Sequence, residues 1–191
     1  MKRVALRIAL GLAFAALTAM AGEVVRLTDI DGVDHGRLDS APGRATAVFF
    51  ILSDCPISNQ LAPEINRICT DYSGRGVRCY LAYVDPEVSA DGIRRHQRDF
   101  SYDCCTPLHD ASRALTEAAG ATITPEAAIF SPTGELLYRG RINDLYAGLG
   151  KKRREPTEHD VRRALDEILA GKAVSRPRTQ AIGCYVPPKE L

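Results

Sequence analysis

Hydrophobic positions along the chain fall into blocks whose period alternates between strand and helix. Ile8 to Leu17 is one unbroken apolar run. Glu23 to Thr28 (EVVRLT) predicts a short strand, and Asp31-Gly32 the turn that ends it. Ala45 to Leu52 (ATAVFFIL) is apolar at nearly every position and rich in β-formers, the pattern of a strand buried on both faces. Ser53-Asp54-Cys55-Pro56 stops that run. From Ser58 to Tyr72 the period becomes helical, with Leu61, Ile65 and Ile68 spaced by four and three. Val77 to Val84 predicts another strand. Ala90 to Phe100 and Asp110 to Ala119 predict helices, the second ending near Gly120. Ala127 to Phe130 and Leu136 to Arg139 predict strands joined by the turn Ser131-Pro132-Thr133-Gly134. Asn143 to Glu155 is a polar, basic insertion. Thr157 to Ala170 predicts the last helix, with Thr157 as N-cap, Asp160 three residues on and Gly171 as the stop.

Strands that alternate with helices require an α/β layered architecture. A central parallel β-α-β unit, then an antiparallel hairpin and a final helix, is the plan of the thioredoxin-like fold: a central mixed sheet flanked by helices. We see no internal repeat and no low-complexity segment. The organisation expected is a signal segment over 1–21, one domain over 22–171, and a tail over 172–191 that carries Cys184.

The first apolar run changes the meaning of the cysteines. Lys2, Arg3 and Arg7 precede or open it, and Ala19-Met20-Ala21 supplies small residues at the −3 and −1 positions of a cleavage site. The run is shorter than the ~20 residues of a membrane-spanning helix, so no permanent span is expected. Cleavage after Ala21 would leave 170 of the 191 residues. It would remove three basic and no acidic groups, taking the formal net charge from +1 to −2. The protein is therefore expected in the periplasm or outside the cell, where disulfides persist. A near-neutral chain lacks the basic excess of a nucleic-acid binder, and Lys151-Lys152-Arg153-Arg154 reads as a solvated loop. With 45% hydrophobic and 26% charged residues the composition is that of a folded domain.

Candidate chemistry centres on Cys55. It lies where a buried strand ends and a helix begins, the place where open α/β sheets hold their ligands. A helix N-terminus favours thiolate over thiol, and Pro56 suits the first turn because its missing N–H has no helical partner to lose. Cys55-Pro56-Ile57-Ser58 has the form C-x-x-S, so Ser58 offers a hydroxyl to the sulfur. Thr124-Pro125 stands just before the strand Ala127 to Phe130, where the thioredoxin plan sets a cis-proline against the reactive cysteine.

Three stretches carry a family resemblance: Phe49 to Asn59 (FFILSDCPISN), Thr124-Pro125-Glu126, and Leu137 to Asp144 (LYRGRIND). Val24 to Ala170 resembles the thioredoxin-like redoxin superfamily, which includes peroxiredoxins and periplasmic thiol–disulfide proteins. More closely it resembles exported bacterial redoxin-domain proteins with a Cys-Pro-Ile-Ser-Asn centre and a Gly-Cys near the C-terminus, here Gly183-Cys184. The resemblance implies thiol–disulfide exchange through a mixed disulfide on Cys55. The implied partners are protein thiols or disulfides, or a small-molecule thiol, and no cofactor. Peroxiredoxins carry Thr or Ser three residues before the cysteine and proline seven before it. Leu52 and Val48 stand there, which weakens the alternative of an antioxidant thiol peroxidase.

A lone-thiol site needs a second thiol to complete an oxidation cycle. Cys184 is the leading candidate, with a structural tether between tail and domain as the other reading. Cys69 and Cys79 could form a structural disulfide or remain separate thiols. The adjacent Cys104 and Cys105 are expected to pair elsewhere or stay free. The rival class is a copper-handling chaperone, which on this fold carries C-x-x-x-C-P and a distant histidine. Ile51 replaces the first of those cysteines, and His35, His96, His109 and His159 show no metal-motif spacing. His96 and His109 are expected to be solvated. The conceivable Cu(I) set is Cys55, Cys104, Cys105 and His109. A third reading is an interaction protein without turnover.

Overall fold

The computed structural model describes residues 25–189, so the expected signal segment lies outside the described residues. Two short strands, β1 (Arg26–Thr28) and β2 (Asp34–Arg37), pair antiparallel. They are followed by β3 (Ala45–Ile51), α1 (Pro56–Ser73), β4 (Val77–Tyr83), α2 (Ala90–Asp99), β5 (Thr106–His109) and α3 (Ala114–Ala119). Then come β6 (Ile123–Thr124), β7 (Glu126–Phe130), β8 (Leu136–Gly140), β9 (Tyr146–Gly148), β10 (Lys151–Lys152), α4 (Asp160–Leu169) and β11 (Cys184–Tyr185).

The main sheet has five strands in the order β5-β4-β3-β7-β8. β4 runs parallel to both β3 and β5, while β7 is antiparallel to β3 and β8. β3 sits in the middle because all of its side chains are apolar or small, and every one is buried. Its alternation feeds two cores. Ala47, Phe49 and Ile51 join Leu81 and Tyr83 of β4 and pack on Leu61, Ile65 and Ile68 of α1 and Val161 and Leu165 of α4. Val48 and Phe50 join Tyr80, Ala82 and Phe130 on the other face, beneath Leu27, Leu38 and Leu115. Burying an aliphatic or aromatic side chain is worth about 1.5–3 kcal/mol, so these two layers dominate the stability.

Several local readings are corrected. The strand β5 (TPLH) has too few residues and too little apolar pattern to stand out, but it aligns with Tyr80 to Tyr83 of β4 as a parallel edge. The helix expected from Asp110 begins only at Ala114. Asp110 accepts hydrogen bonds from the N–H groups of Leu115 and Thr116 and from the Thr116 hydroxyl, so it serves as the acceptor before the helix. Thr157 is not the N-cap of the last helix, which starts at Asp160. Its hydroxyl donates to Asp144 instead, 2.6 Å away. The polar insertion folds as the β9–β10 hairpin, with Lys151 and Lys152 exposed in it.

Asp144 organises the entry to α4. Its carboxylate accepts from the N–H groups of Thr157 and Glu158 and from the Thr157 hydroxyl. Burial opposes the charge, but these bonds and Arg153 outweigh it and hold the carboxyl at about 2. A depressed carboxyl stabilises the fold above its unfolded value of about 3.9, and that stability is lost as pH falls through the folded value. Asp144→Asn is therefore expected to cost about 2 kcal/mol at pH 7. The difference in urea midpoint from the parent should shrink steadily below about pH 4.

Candidate active site

β3 ends at Ile51, and the chain turns so that the Cys55 N–H meets the Leu52 carbonyl at 3.2 Å. Cys55 occupies the N-cap position of α1 in extended backbone, and Pro56 opens the helix. The first helical bond runs from the Asn59 N–H to the Cys55 carbonyl, 3.0 Å. The sulfur is thus held at the helix N-terminus, where backbone N–H groups and the helix dipole favour negative charge. Cys55 is only 1% exposed. Ser58, one turn on, is fully buried, and its hydroxyl has no nitrogen or oxygen partner among the described residues. The group within its reach is the Cys55 sulfur.

The Thr124–Pro125 peptide is cis. Its Thr124 carbonyl lies 3.4 Å from the Cys55 sulfur and accepts from the thiol. Glu126, buried just after the proline, accepts from the N–H groups of Thr122 and Ile123 and faces Arg139 at 3.5 Å. The sequence places Glu126 in the Thr124-Pro125-Glu126 stretch but not this role, because the N–H groups it accepts from converge on it only in the fold.

The tail closes the site. Its course is set first on β8: the Arg139 N–H donates to the Pro177 carbonyl, and the Thr179 N–H to the Arg139 carbonyl. Gly140 is required there, since a Cβ would come within 2.1 Å of the Thr179 hydroxyl. The chain then crosses to β6, where β11 pairs antiparallel with Cys184 opposite Thr124 and Tyr185 opposite Ile123. Gly183 lies so close that a Cβ would stand 1.9 Å from the Thr124 carbonyl oxygen. The Val186 N–H to the Thr122 carbonyl (3.0 Å) and Arg113 to the Pro187 carbonyl (2.5 Å) continue the strap. Cys55 with Ser58, Pro125 and Cys184, from three separate stretches of the sequence, thus share one site.

The two thiols are driven in opposite directions. Burial works against the Cys55 thiolate. Hydrogen bonds from the Cys184 thiol, from the Ser58 N–H and hydroxyl and from the Cys184 N–H outweigh it and hold Cys55 below its ordinary value. Burial, and then the neighbouring Cys55, push Cys184 up to about 12. One proton is thus shared unequally, with Cys55 the group that ionises and Cys184 the donor to it.

A buried polar chain supports the loop. Asn59 donates to the Ser53 carbonyl (3.0 Å), and its side-chain oxygen faces His96 Nε2 at 2.9 Å. His96 Nε2 must then carry the proton, leaving Nδ1 to accept from the Tyr83 hydroxyl at 2.9 Å. Burial holds His96 below its usual range, against the pull of Asp99, so the ring is neutral at neutral pH. His96 was expected in solvent and is 6% exposed; the polar sequence of α2 hides that this one side chain turns under the sheet edge. His109 is exposed and meets the Asp85 carbonyl at 2.9 Å.

The remaining cysteines are also sorted. Cys69 pairs with Cys104, with a Cα–Cα separation of 5.8 Å, and not with Cys79. Asn66, one turn before Cys69, donates to the Phe100 carbonyl, which draws the end of α2 and the following loop over α1. The copper set is not brought together. Cys104 is taken by Cys69, and Cys105 belongs to the core on the α1 side of the sheet, whereas Cys55 belongs to the other. Among the described residues no group of three or more His, Cys, Asp or Glu side chains is arranged to hold a metal ion. No helix among them is long and apolar enough to cross a membrane.

No protein-family model matches the sequence, and no curated protein does. Solved structures do. An uncharacterized conserved protein from Geobacillus kaustophilus superposes with a TM-score of 0.75 at 26% identity, over 89% of this chain and 91% of that one. A hypothetical protein from Sinorhizobium meliloti gives 0.70 at 26%, over 86% and 91%. A secreted Mycobacterium tuberculosis disulfide oxidoreductase, described as homologous to E. coli DsbE, gives 0.52 at 14%, over 77% and 95%. The chain has the thioredoxin-like fold. Within the thioredoxin-like fold its site departs in two ways: Ser58 holds the second position of the C-x-x-C pattern, and the C-terminal strap brings Cys184 to the first. Beside that strap lies a groove of about 210 Å³ lined by Ile123, Leu149, Ile182 and Tyr185. Clefts of about 470 and 510 Å³ lie away from Cys55 and contain none of the four site residues.

Proposed function

We propose that this protein is an extracytoplasmic thiol–disulfide oxidoreductase whose redox couple is Cys55 and Cys184. The observation that carries the reading is the pairing of β11 on β6, which sets the Cys184 thiol against a buried Cys55 sulfur with a lowered pKa. In the reducing direction the Cys55 thiolate attacks one sulfur of a partner disulfide. The other partner sulfur leaves as a thiolate and takes a proton. Cys184 then gives up its proton and attacks Cys55 in the mixed disulfide, releasing the second partner thiol. The partner disulfide gains two electrons, and a Cys55–Cys184 disulfide remains. Ser58 and the helix N-terminus stabilise the thiolate that starts the cycle and that leaves in the reverse direction. Because Cys55 is buried beneath the strap, the two-residue β6–β11 ladder opens before a protein substrate engages.

Thioredoxin-like neighbours described as disulfide oxidoreductases support the class of reaction. The Cys69–Cys104 bridge, together with the N-terminal sequence, supports an oxidising compartment outside the cytoplasm. The substrates proposed are protein disulfides or dithiols, without a cofactor. The test is trapping. Cys184→Ser incubated with a disulfide-bonded protein such as insulin should accumulate a covalent adduct on Cys55, released by reductant, while the parent protein accumulates none. An adduct on another residue, or no adduct with undiminished turnover, would overturn the reading.

A further inference from the structure

We propose that Cys79 and Cys105 are a second disulfide site, a cross-strand bridge that closes beside Cys69–Cys104 when the chain folds in the presence of a disulfide oxidant. The argument begins with register. In the parallel ladder between β4 and β5, Tyr80 is aligned with Thr106, so Cys79 and Cys105 are the residues one step before the first aligned pair. Neighbouring strands lie about 4.8 Å apart, within the ~4.4–6.8 Å Cα separation that a disulfide spans. The side chains also share a face. Cys79 and Cys105 both belong to the core beneath α1 with Leu81 and Tyr83, whereas Tyr80, Ala82 and Leu108 belong to the opposite one. Both are buried, at 6% and 4% exposure, and both are unbridged in this structure.

The thiols touch: hydrogen bonding to Cys79, then burial, drives Cys105 far above its ordinary value. A thiol so protonated and enclosed reacts slowly in the folded protein, which separates this pair from the reactive Cys55. Closure therefore belongs to folding, before β5 docks. The thiolate of one cysteine attacks a low-molecular-weight disulfide, and one oxidant thiol leaves. The second cysteine attacks the mixed disulfide and releases the other oxidant thiol. One S–S bond forms between Cys79 and Cys105, and two electrons with two protons pass to the oxidant. The result ties β5, a short edge strand containing Pro107, to β4, while Cys104 ties the preceding loop to α1. With Cys55 and Cys184, all six cysteines then have partners.

The test uses the full chain, produced with its own N-terminal segment, denatured, reduced and refolded with glutathione disulfide. Free thiols are then alkylated under denaturing conditions and tryptic peptides mapped without reduction. Cys104 and Cys105 lie on one tryptic peptide, so the expected product joins three peptides, those of Cys69, Cys79 and the Cys104-Cys105 pair. In Cys79→Ala it should collapse to two peptides with Cys105 alkylated. Finding Cys79 and Cys105 both alkylated in molecules whose Cys69–Cys104 bridge is closed would overturn the proposal. A second measurement needs no single variant. The parent should melt about 5–10 °C above the Cys79→Ala/Cys105→Ala double variant when both are oxidised. Equal melting temperatures would also count against the bridge.

Discussion

Replacing Cys55 by serine is expected to reduce disulfide exchange to background, a loss of at least about a thousand-fold. A serine hydroxyl at the same helix N-terminus does not ionise at neutral pH, and Cys184, whose thiol burial pushes up, supplies little thiolate in its place. Iodoacetamide labelling gives the finer reading. The pH midpoint for Cys55 should lie below the ordinary cysteine value, because Cys184 and Ser58 donate to its thiolate. In Cys184→Ala one of those donors is gone, and the midpoint should rise. The sign follows from which form is stabilised: hydrogen bonds to the thiolate lower the pKa, and removing one raises it. A Cys55 midpoint at or above the ordinary value would remove the nucleophile assignment.

The second large effect is expected at Gly183. A Cβ there would stand 1.9 Å from the Thr124 carbonyl oxygen, closer than any side chain tolerates. Gly183→Val should therefore lift β11 from β6 while leaving the upstream anchors of the tail, Pro177 and Thr179 on Arg139, in place. Losing two backbone hydrogen bonds at about 1 kcal/mol each corresponds to roughly 30-fold more frequent opening. Measured at a pH above the Cys55 midpoint of both proteins, so that the lost Cys184 donor does not change the thiolate fraction, alkylation of Cys55 should accelerate by that factor. Formation of the Cys55–Cys184 disulfide should slow, because Cys184 is no longer held opposite Thr124. The melting temperature should fall by only a few degrees, since the buried members of both sheet cores stay in place and only the partly buried Cys184 and Val186 leave the second. An unchanged alkylation rate would mean that the strap does not control access to Cys55.

Much of the candidate site is legible in the sequence. The apolar run ending at Ser53-Asp54-Cys55-Pro56 locates a strand, a turn and a helix start, and the observed β3 and α1 differ from that reading by only a residue or two. Pro125 is marked by its place before a buried strand, and Cys184 only by the family resemblance that its Gly-Cys pair carries. The supporting residues were hidden because their roles are relational. Glu126 matters only because the Thr122 and Ile123 N–H groups converge on it. His96 matters only because Asn59 and Tyr83 meet its two ring nitrogens. Thr157 looked like a helix cap by composition, but Asp144, brought there by the β9–β10 insertion, claims its hydroxyl.

The division has a physical basis. Period, turn chemistry and helix-start signals act over a few residues, so the α/β order, the buried central strand and the placing of Cys55 at a helix N-terminus follow from local composition alone. Pairing among cysteines does not, because six allow 15 combinations and spacing carries no angle or distance. Only the packed fold decides that Cys69 takes Cys104 where the loop after α2 is held to α1 by Asn66, and that Cys79 lies beside Cys105 through the register of β4 and β5. Only it decides that a tail anchored on β8 returns Cys184 to Cys55. Local position marks Cys55 as a candidate nucleophile; which thiol each cysteine meets, and how burial and that partner shift its ionisation, is a matter of long-range packing.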